Sequence, residues 1–334
     1  MKKLFLKIRY LLEYLIVMLL YGMIRLLPHG GVKSLAAGLG RVMYGLPAVR
    51  KIVEANIRVA FPEWPAGKVE EIGRRSIFNL LYNMLEFTWM AGKPARIERW
   101  TLLLPEVTER LKAHVAAGER IIFVNPHLGS WEASGLMAPY YAGVKMVAIA
   151  KPMRNPYLNR FLNHGSRERE QGLKIIFSKG AIKESLKALR RGLGVGTLID
   201  QNTRLRDGGT FVDFFGLPVP SSKAPASLMH YCRVNRLPAV IVYGTSVRLE
   251  NGVVTAHAEW LSKPFEAYAD ETELIQELMD ISESYIRRFP DQYLWFYKRF
   301  RYIPRDASPE LQARYPFYAM VAPDKFYARP KDKQ

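Results

Sequence analysis

Cysteine is almost missing from this chain: Cys232 is the single one in 334 residues. A lone thiol cannot close an internal disulfide and cannot build a Cys-rich zinc site, which fits a reducing compartment. No activating setting surrounds it, so it is not read as a nucleophile. Histidine is scarce as well, with six residues. Acid is in deficit: 31 Asp and Glu against 49 Lys and Arg leave a net charge of +18, a surplus that favours phosphates, anionic lipid or an acidic partner. No repeat or linker-like stretch interrupts the chain. Its 49% apolar and 24% charged residues are those of a folded globular protein.

A long hydrophobic run is also lacking. "MKKLFLKIR" carries Lys2, Lys3, Lys7 and Arg9, and the apolar stretch after it is broken by Glu13 and Arg25. Its uncharged core, Tyr14 to Ile24, covers 11 residues. At ~1.5 Å per residue that is well short of a ~30 Å hydrocarbon layer. Three readings stay open: a short anchor with its basic flank in the cytoplasm, a helix in the membrane interface, or a buried first helix. Membrane attachment of either kind is favoured, and the absence of a small-residue cleavage site before Pro28 disfavours a signal peptide.

What is present reads as one domain. Residues 1–27 are expected to be a membrane-anchoring or interfacial helix, 28–305 a catalytic-sized domain and 306–334 a basic C-terminal tail. "GGVKSLAAGLGRVMYGL", "VRKIVEANIRVAFPEWP" and residues 68–91 read as helices, the second stopped by Pro62 and Pro65. From about residue 105 the pattern alternates. "IIFVN", "KMVAIA", "KIIF" and "VGTLID" are short apolar strands between helical stretches, and "PAVIVYGTSVRL" and "GVVTAHAEWL" are later strands before a closing helix. The expectation is an α/β fold whose mostly parallel central sheet is flanked by helices on both faces.

Within this pattern "RIIFVNPHLGSWE" stands out. The bare spacing H-x4-E decides nothing, since about 0.6 matches to an acid are expected by chance, and His114 with Glu119 is a second instance. Context separates the two. His114 lies in a helix, whereas His127 follows a strand, where open α/β sheets form their ligand crevices. Five positions along one continuous helix lie about 140° apart. His127 and Glu132 can meet if the first is in a turn and the second on the first turn of the next helix. Pro126 breaks the backbone before that turn, and Gly129 permits close approach. A neutral imidazole there could take a proton from an alcohol while a carboxylate on its other nitrogen fixes the tautomer. Helix-start N–H groups could attract a developing oxyanion. Ser130 lacks a strand-elbow pattern and reads as a packing or capping residue.

"HLGSWE" resembles the H-x4-D/E motif of the lysophospholipid acyltransferase superfamily, and its Gly and Trp are similar to those of the late, or secondary, acyltransferases of lipid A biosynthesis in Gram-negative bacteria. Further blocks resemble that family in the same order: "KPMRNPYLNRFLNHGSREREQG", "VGTLIDQN", "GTFVDFFGLPVPSSKAPASL" and "PDQYLWFYKRFR". Two departures are visible: Asn202 stands where the family often has Asp, and His164 and Ser166 interrupt the arginines of the second block.

The resemblance implies an α/β domain on the cytoplasmic face of the inner membrane that moves a fatty acyl group from a thioester, usually of acyl carrier protein, to a hydroxyl of a membrane glycolipid. It implies His127 as general base with Glu132 as its partner, Arg167 and Arg160 as phosphate or oxyanion ligands, and Asp200 with Gln201 as polar support. Phe211, Phe214 and Phe215 are then candidates to line an acyl channel, and Phe215 and Gly216 to bind substrate. No metal and no cofactor are implied beyond an acyl-carrier-protein or acyl-CoA co-substrate, and the oligomeric state is left open. Relatives that acylate lysophosphatidate or phosphatidylinositol mannosides are the alternatives; the first tend to carry a Phe-Pro-Glu-Gly-Thr block that is absent here. A nucleic-acid binder would share the charge, but zinc spacing, an RNA-binding sheet signature and a helix-turn-helix are all missing, so no nucleic-acid partner is expected.

Overall fold

The computed structural model describes residues 2–166, 172–177 and 180–328. Four helices come first: α1 (Lys2–Leu26), α2 (His29–Gly45), α3 (Pro47–Ala60) and α4 (Ala66–Met90). Prolines set the breaks between them, with Pro28 and Pro65 just before α2 and α4 and Pro47 opening α3. Then follow α5 (Pro94–Trp100), β1 (Thr101–Leu103), α6 (Pro105–Ala116), β2 (Arg120–Asn125), α7 (Trp131–Ala142), β3 (Met146–Ala150) and α8 (Pro156–Asn159), which runs into a π-helical turn at Arg160–Ser166. The chain continues through β4 (Leu173–Phe177), α9 (Ala181–Arg190), β5 (Gly194–Leu198), a hairpin of β6 (Gly209–Phe214) and β7 (Leu217–Ser222), and α10 (Ala224–Val234). It closes with β8 (Ala239–Arg248), β9 (Val254–Trp260), α11 (Glu271–Arg288), β10 (Tyr302–Ile303), α12 (Pro309–Ala313), β11 (Met320–Val321) and α13 (Asp324–Tyr327).

Seven strands form the central sheet in the order β1-β9-β8-β2-β5-β3-β4. From β8 to β4 every neighbour is parallel; β9 turns back antiparallel to β8 and takes β1 parallel to itself. The sheet is thus mostly parallel, as the alternating pattern predicts. Its strands read as unbroken apolar runs because both faces are covered. In β2, Ile122 and Val124 join a core with α3, α10 and α11, while Ile121 and Phe123 join a second core with α2, α5 and α7.

Helix α1 lies against the body through one side only. Tyr14 meets the rings of Tyr157 and Phe161, Asn155 Nδ2 donates to the Tyr10 carbonyl at 2.8 Å, and Arg25 Nη1 donates to the carbonyls of Thr88 and Ala91 at 3.1 and 2.6 Å. The other side exposes Leu4, Phe5, Ile8, Leu12, Ile16 and Leu19. No helix among the described residues is long and apolar enough to cross a membrane.

The last segment corrects an expectation. Residues 306–328 do not hang as a tail; β11 pairs with β10, and Tyr315, Ala322 and Phe326 are buried. Tyr315 Oη donates to the Pro218 carbonyl at 2.6 Å, and Arg314 Nη2 donates to the Gly216 carbonyl at 3.0 Å. The reason is aromatic content: Phe326 packs against Phe211 and Tyr302, a burial that basic composition alone conceals. Of residues 306–334, the last six, 329–334, lie outside the described residues. Replacing Phe326 with Ala should therefore lower stability by about 3–5 kcal/mol, the usual cost of truncating a buried Phe, read as a shifted denaturant midpoint; an unmoved midpoint would restore the tail.

Candidate active site

The sheet itself brings the site together. β2 and β5 are parallel neighbours with Asn125 opposite Leu198, and the Ile199 amide continues the ladder to the Asn125 carbonyl at 3.0 Å. The residues just past both strand ends therefore meet at the carboxyl edge of the sheet. There the His127 backbone N–H donates to Asp200 Oδ2 at 2.8 Å, and Nδ1 of the ring lies 2.7 Å from Asp200 Oδ1. Gln201 Nε2 stands 3.1 Å from His127 Nε2. Both His127 and Asp200 are buried, and Gln201 is exposed.

Burial by itself would raise the Asp200 carboxyl. The His127 ring, both His127 hydrogen bonds and the Arg299 guanidinium outweigh it, so the group is held below the usual carboxylate range. An ionised Asp200 only accepts, which places the ring proton on Nδ1 and leaves the lone pair on Nε2. The exposed Gln201 amide donates to that lone pair. This is the state a general base requires.

The turn after His127 leaves little freedom. Gly129 has φ +58°, and a Cβ there would sit 1.6 Å from the Ser246 carbonyl oxygen, so glycine is obligatory. Ser130 is fully buried, its amide donates to the Ser246 carbonyl at 2.9 Å, and its carbonyl accepts from Ser246 Oγ at 2.7 Å. Its own hydroxyl makes no cap bond, so packing rather than capping is its role. Trp131 places its ring edge-on to His127, with centroids 5.2 Å apart.

The other expected residues fall in different places. Glu132 is partly buried on the first turn of α7. Local spacing nominated it for the ring nitrogen that, in the structure, faces Asp200, 73 positions away in sequence. Arg160 is exposed at the start of the π-helical turn; Arg167 and Arg169 lie outside the described residues. Phe215 and Gly216 form the two-residue turn of the β6–β7 hairpin, with φ of 52° and 71°, the type I′ geometry that matches strand twist. Phe214 and Phe215 are buried in a cluster with Phe61, Tyr293, Trp295 and Phe300. Sequence reasoning missed Arg299, which is fully buried behind Asp200 and donates to the Pro220 carbonyl at 2.8 Å, Asn202 Oδ1 at 3.1 Å and Ser221 Oγ. The basic and aromatic run "WFYKRFRY" contained it, without marking which of its cations turns inward.

His114 shows the same spacing put to another use. Its Nδ1 lies 2.5 Å from Glu119 Oε2, but its Nε2 accepts from Trp260 Nε1 at 3.0 Å. Both ring nitrogens are spent, Nδ1 on the turn after α6 and Nε2 on holding α6 to β9.

A buried carboxylate hydrogen-bonded to an imidazole at the carboxyl edge of a mostly parallel sheet marks an α/β protein with a candidate base at that edge. The chain belongs to the bacterial lipid A biosynthesis acyltransferase family, whose model matches residues 1–302. It is similar to a lipid A biosynthesis acyltransferase of Haemophilus influenzae, 24% identical over 293 residues that cover 85% of this chain and 89% of the relative. It also resembles the lipid A biosynthesis palmitoleoyltransferase of Escherichia coli and an acyltransferase of the same pathway from Shigella flexneri, each 23% identical over 261 residues, 76% of this chain and 79% of theirs. The protein is therefore an acyltransferase, and its family acts in lipid A biosynthesis.

Asp200→Asn should lower turnover by about 10²–10⁴-fold, the range for a disabled general base, with His114→Ala near wild type. Because the Asp200 carboxyl is depressed in the fold, its contribution to stability is present above its unfolded value of about 4 and lost as pH falls through the depressed value. Denaturant midpoints measured across that acid range should show a shallower loss in Asp200→Asn than in the wild type.

Proposed function

We propose that the protein transfers a fatty acyl chain from an acyl carrier protein thioester to a hydroxyl of a lipid A precursor, with His127 as the base. The carrying observation is the His127 ring, its Nδ1 toward Asp200 and its Nε2 toward the exposed Gln201 amide. The acceptor hydroxyl gives its proton to Nε2 as its oxygen attacks the thioester carbonyl. The C–S bond then breaks, and the imidazolium returns the proton to the departing thiolate. Asp200 stabilises the imidazolium in between. Glu132, on the first turn of α7, supplies the second carboxylate of the H-x4-E pair beside this crevice, and Arg160 and Arg167 supply cationic ligands for the phosphates of the glycolipid.

The membrane seat is part of the same reading. Each Leu, Ile or Phe of α1 that enters lipid contributes about 1.5–3 kcal/mol when fully buried, against about 1 kcal/mol for each Lys or Arg near an anionic surface. Apolar insertion of α1 therefore dominates, with the basic surface steering the protein to the cytoplasmic leaflet and attracting the acidic carrier protein. Leu12→Asp together with Ile16→Asp should abolish co-sedimentation with anionic vesicles, while moderate salt should weaken it only partly; a complete loss in salt alone would mean that charge, not α1, holds the protein.

The reaction itself is tested by mass spectrometry on the detergent-held enzyme with an acyl carrier protein thioester and a panel of lipid A precursors, lysophosphatidate and a mannosylated phosphatidylinositol. A mass gain on a lipid A precursor that disappears in His127→Ala is the expected result. Gain confined to another acceptor would replace the substrate, and an undiminished His127→Ala would remove the base.

A further inference from the structure

Helix α4 buries an unexpected set of side chains. Asn79, Asn83 and Glu86 lie on its covered face, and Glu86 is completely inaccessible. Burying a carboxylate is costly unless it is paired and hydrogen-bonded, and here it is both. Arg248 Nη1 donates to Glu86 Oε1 at 2.8 Å, Arg248 Nη2 reaches Glu86 Oε2, and His29 Nε2 lies 2.7 Å from Oε1. The guanidinium also stacks over the Tyr82 ring, 4.1 Å from its centroid.

The pair does more than neutralise itself. Arg248 Nη2 donates to Asn83 Oδ1 at 2.9 Å. A guanidinium has donors only, so this contact determines which end of the Asn83 amide is oxygen. Nδ2 is thereby turned the other way, and it donates to the Gly129 carbonyl at 2.7 Å. The Gly129 amide is held from the opposite direction by the Gln292 carbonyl at 3.0 Å. Gln292 in turn uses both ends of its side chain on Arg248, accepting from its backbone N–H at 2.8 Å and donating to its carbonyl at 2.9 Å. One buried arginine therefore organises both clamps on the peptide groups two positions beyond His127.

We propose that Asn83, oriented by the Glu86–Arg248 pair, is a positioning residue for the reaction: it fixes the Gly129 carbonyl and so aims the His127 ring at Asp200 and the crevice. The inference rests on His127 being the base. It assigns a kinetic duty to a cluster that would otherwise serve only to join α4 to the sheet. A misplacement of about 1 Å at a reacting group can cost 10²-fold in rate, and the turn has little slack, because even a Cβ on Gly129 would sit 1.6 Å from the Ser246 carbonyl oxygen.

Asn83→Asp tests it. The variant keeps the oxygen that Arg248 uses and replaces the N–H donor with an oxygen facing a carbonyl. Turnover per folded molecule should fall about 10–100-fold with KM nearly unchanged, and the NMR resonance of the His127 Nδ1 proton should move. Ser76→Ala is the control: this buried hydroxyl donates to the Gly73 carbonyl of its own helix, and its loss should leave both readouts as in the wild type. Arg248→Lys keeps a cation opposite Glu86 but removes the fork that orients Asn83, and should reproduce the Asn83→Asp signature even where that variant does not fold. An unmoved Nδ1 resonance with normal turnover, or a rise in KM alone, overturns the proposal. If the wild-type enzyme acylates none of the lipid A precursors, the functional reading falls, while the Nδ1 resonance still decides the positioning role.

Discussion

The contact between His127 and Asp200 depends on one piece of topology, the parallel pairing of β2 with β5. Neither residue has a local reason to be near the other, and 73 positions separate them. Parallel pairing places both strand ends at the same edge, where each chain must leave the sheet and where backbone groups and side chains are released from the ladder. That edge is where the buried carboxylate of Asp200 can reach the His127 ring, whose other nitrogen meets the exposed Gln201. Asp200 is held toward its ionised form against the cost of burial by its two His127 hydrogen bonds and the His127 ring, with the field of the buried Arg299 adding to them.

A second constraint runs through the helical front of the molecule. α1 exposes its apolar outer side and packs on α4 and α8, α2 packs on α4, and α4 presents both apolar and polar groups to the sheet. Apolar packing alone would leave the register of α4 against the sheet loosely specified. The hydrogen-bonded cluster of Asn83, Glu86 and Arg248 has one geometry that satisfies it. Such a cluster is expensive to misalign, so it ties the layer next to the exposed α1 face to the turn that carries His127.

Much of this was legible beforehand. The alternating apolar strands of residues 120–198 predicted the parallel sheet, because two-sided burial leaves a continuous hydrophobic run; the turn at Pro126 and the close approach at Gly129 followed from backbone chemistry. His127 was singled out by its place after a strand, and Asp200 and Gln201 by the family resemblance. Their partnership was not legible. Spacing compares neighbours in sequence and so favoured Glu132, which lies five residues on, over an aspartate brought in by a neighbouring strand. Phe215 and Gly216 were read for substrate binding, whereas their positive φ values mark a hairpin turn, a feature that a Phe in the left-handed region conceals. The inward turn of Arg299 and the packing of residues 306–328 were hidden for a related reason: charge and composition say nothing of which side of a residue is covered.

The sequence by itself determined the kinds of element, the strand ends that carry chemistry, the basic surface and the apolar character of the first helix, since all of these arise from residue type and short-range periodicity. Only the tertiary structure decided which carboxylate meets the imidazole, which arginines are buried and which glutamate they neutralise. Those outcomes are set by strand order and by the cost of burying an unpaired charge, and both depend on residues far apart in the chain.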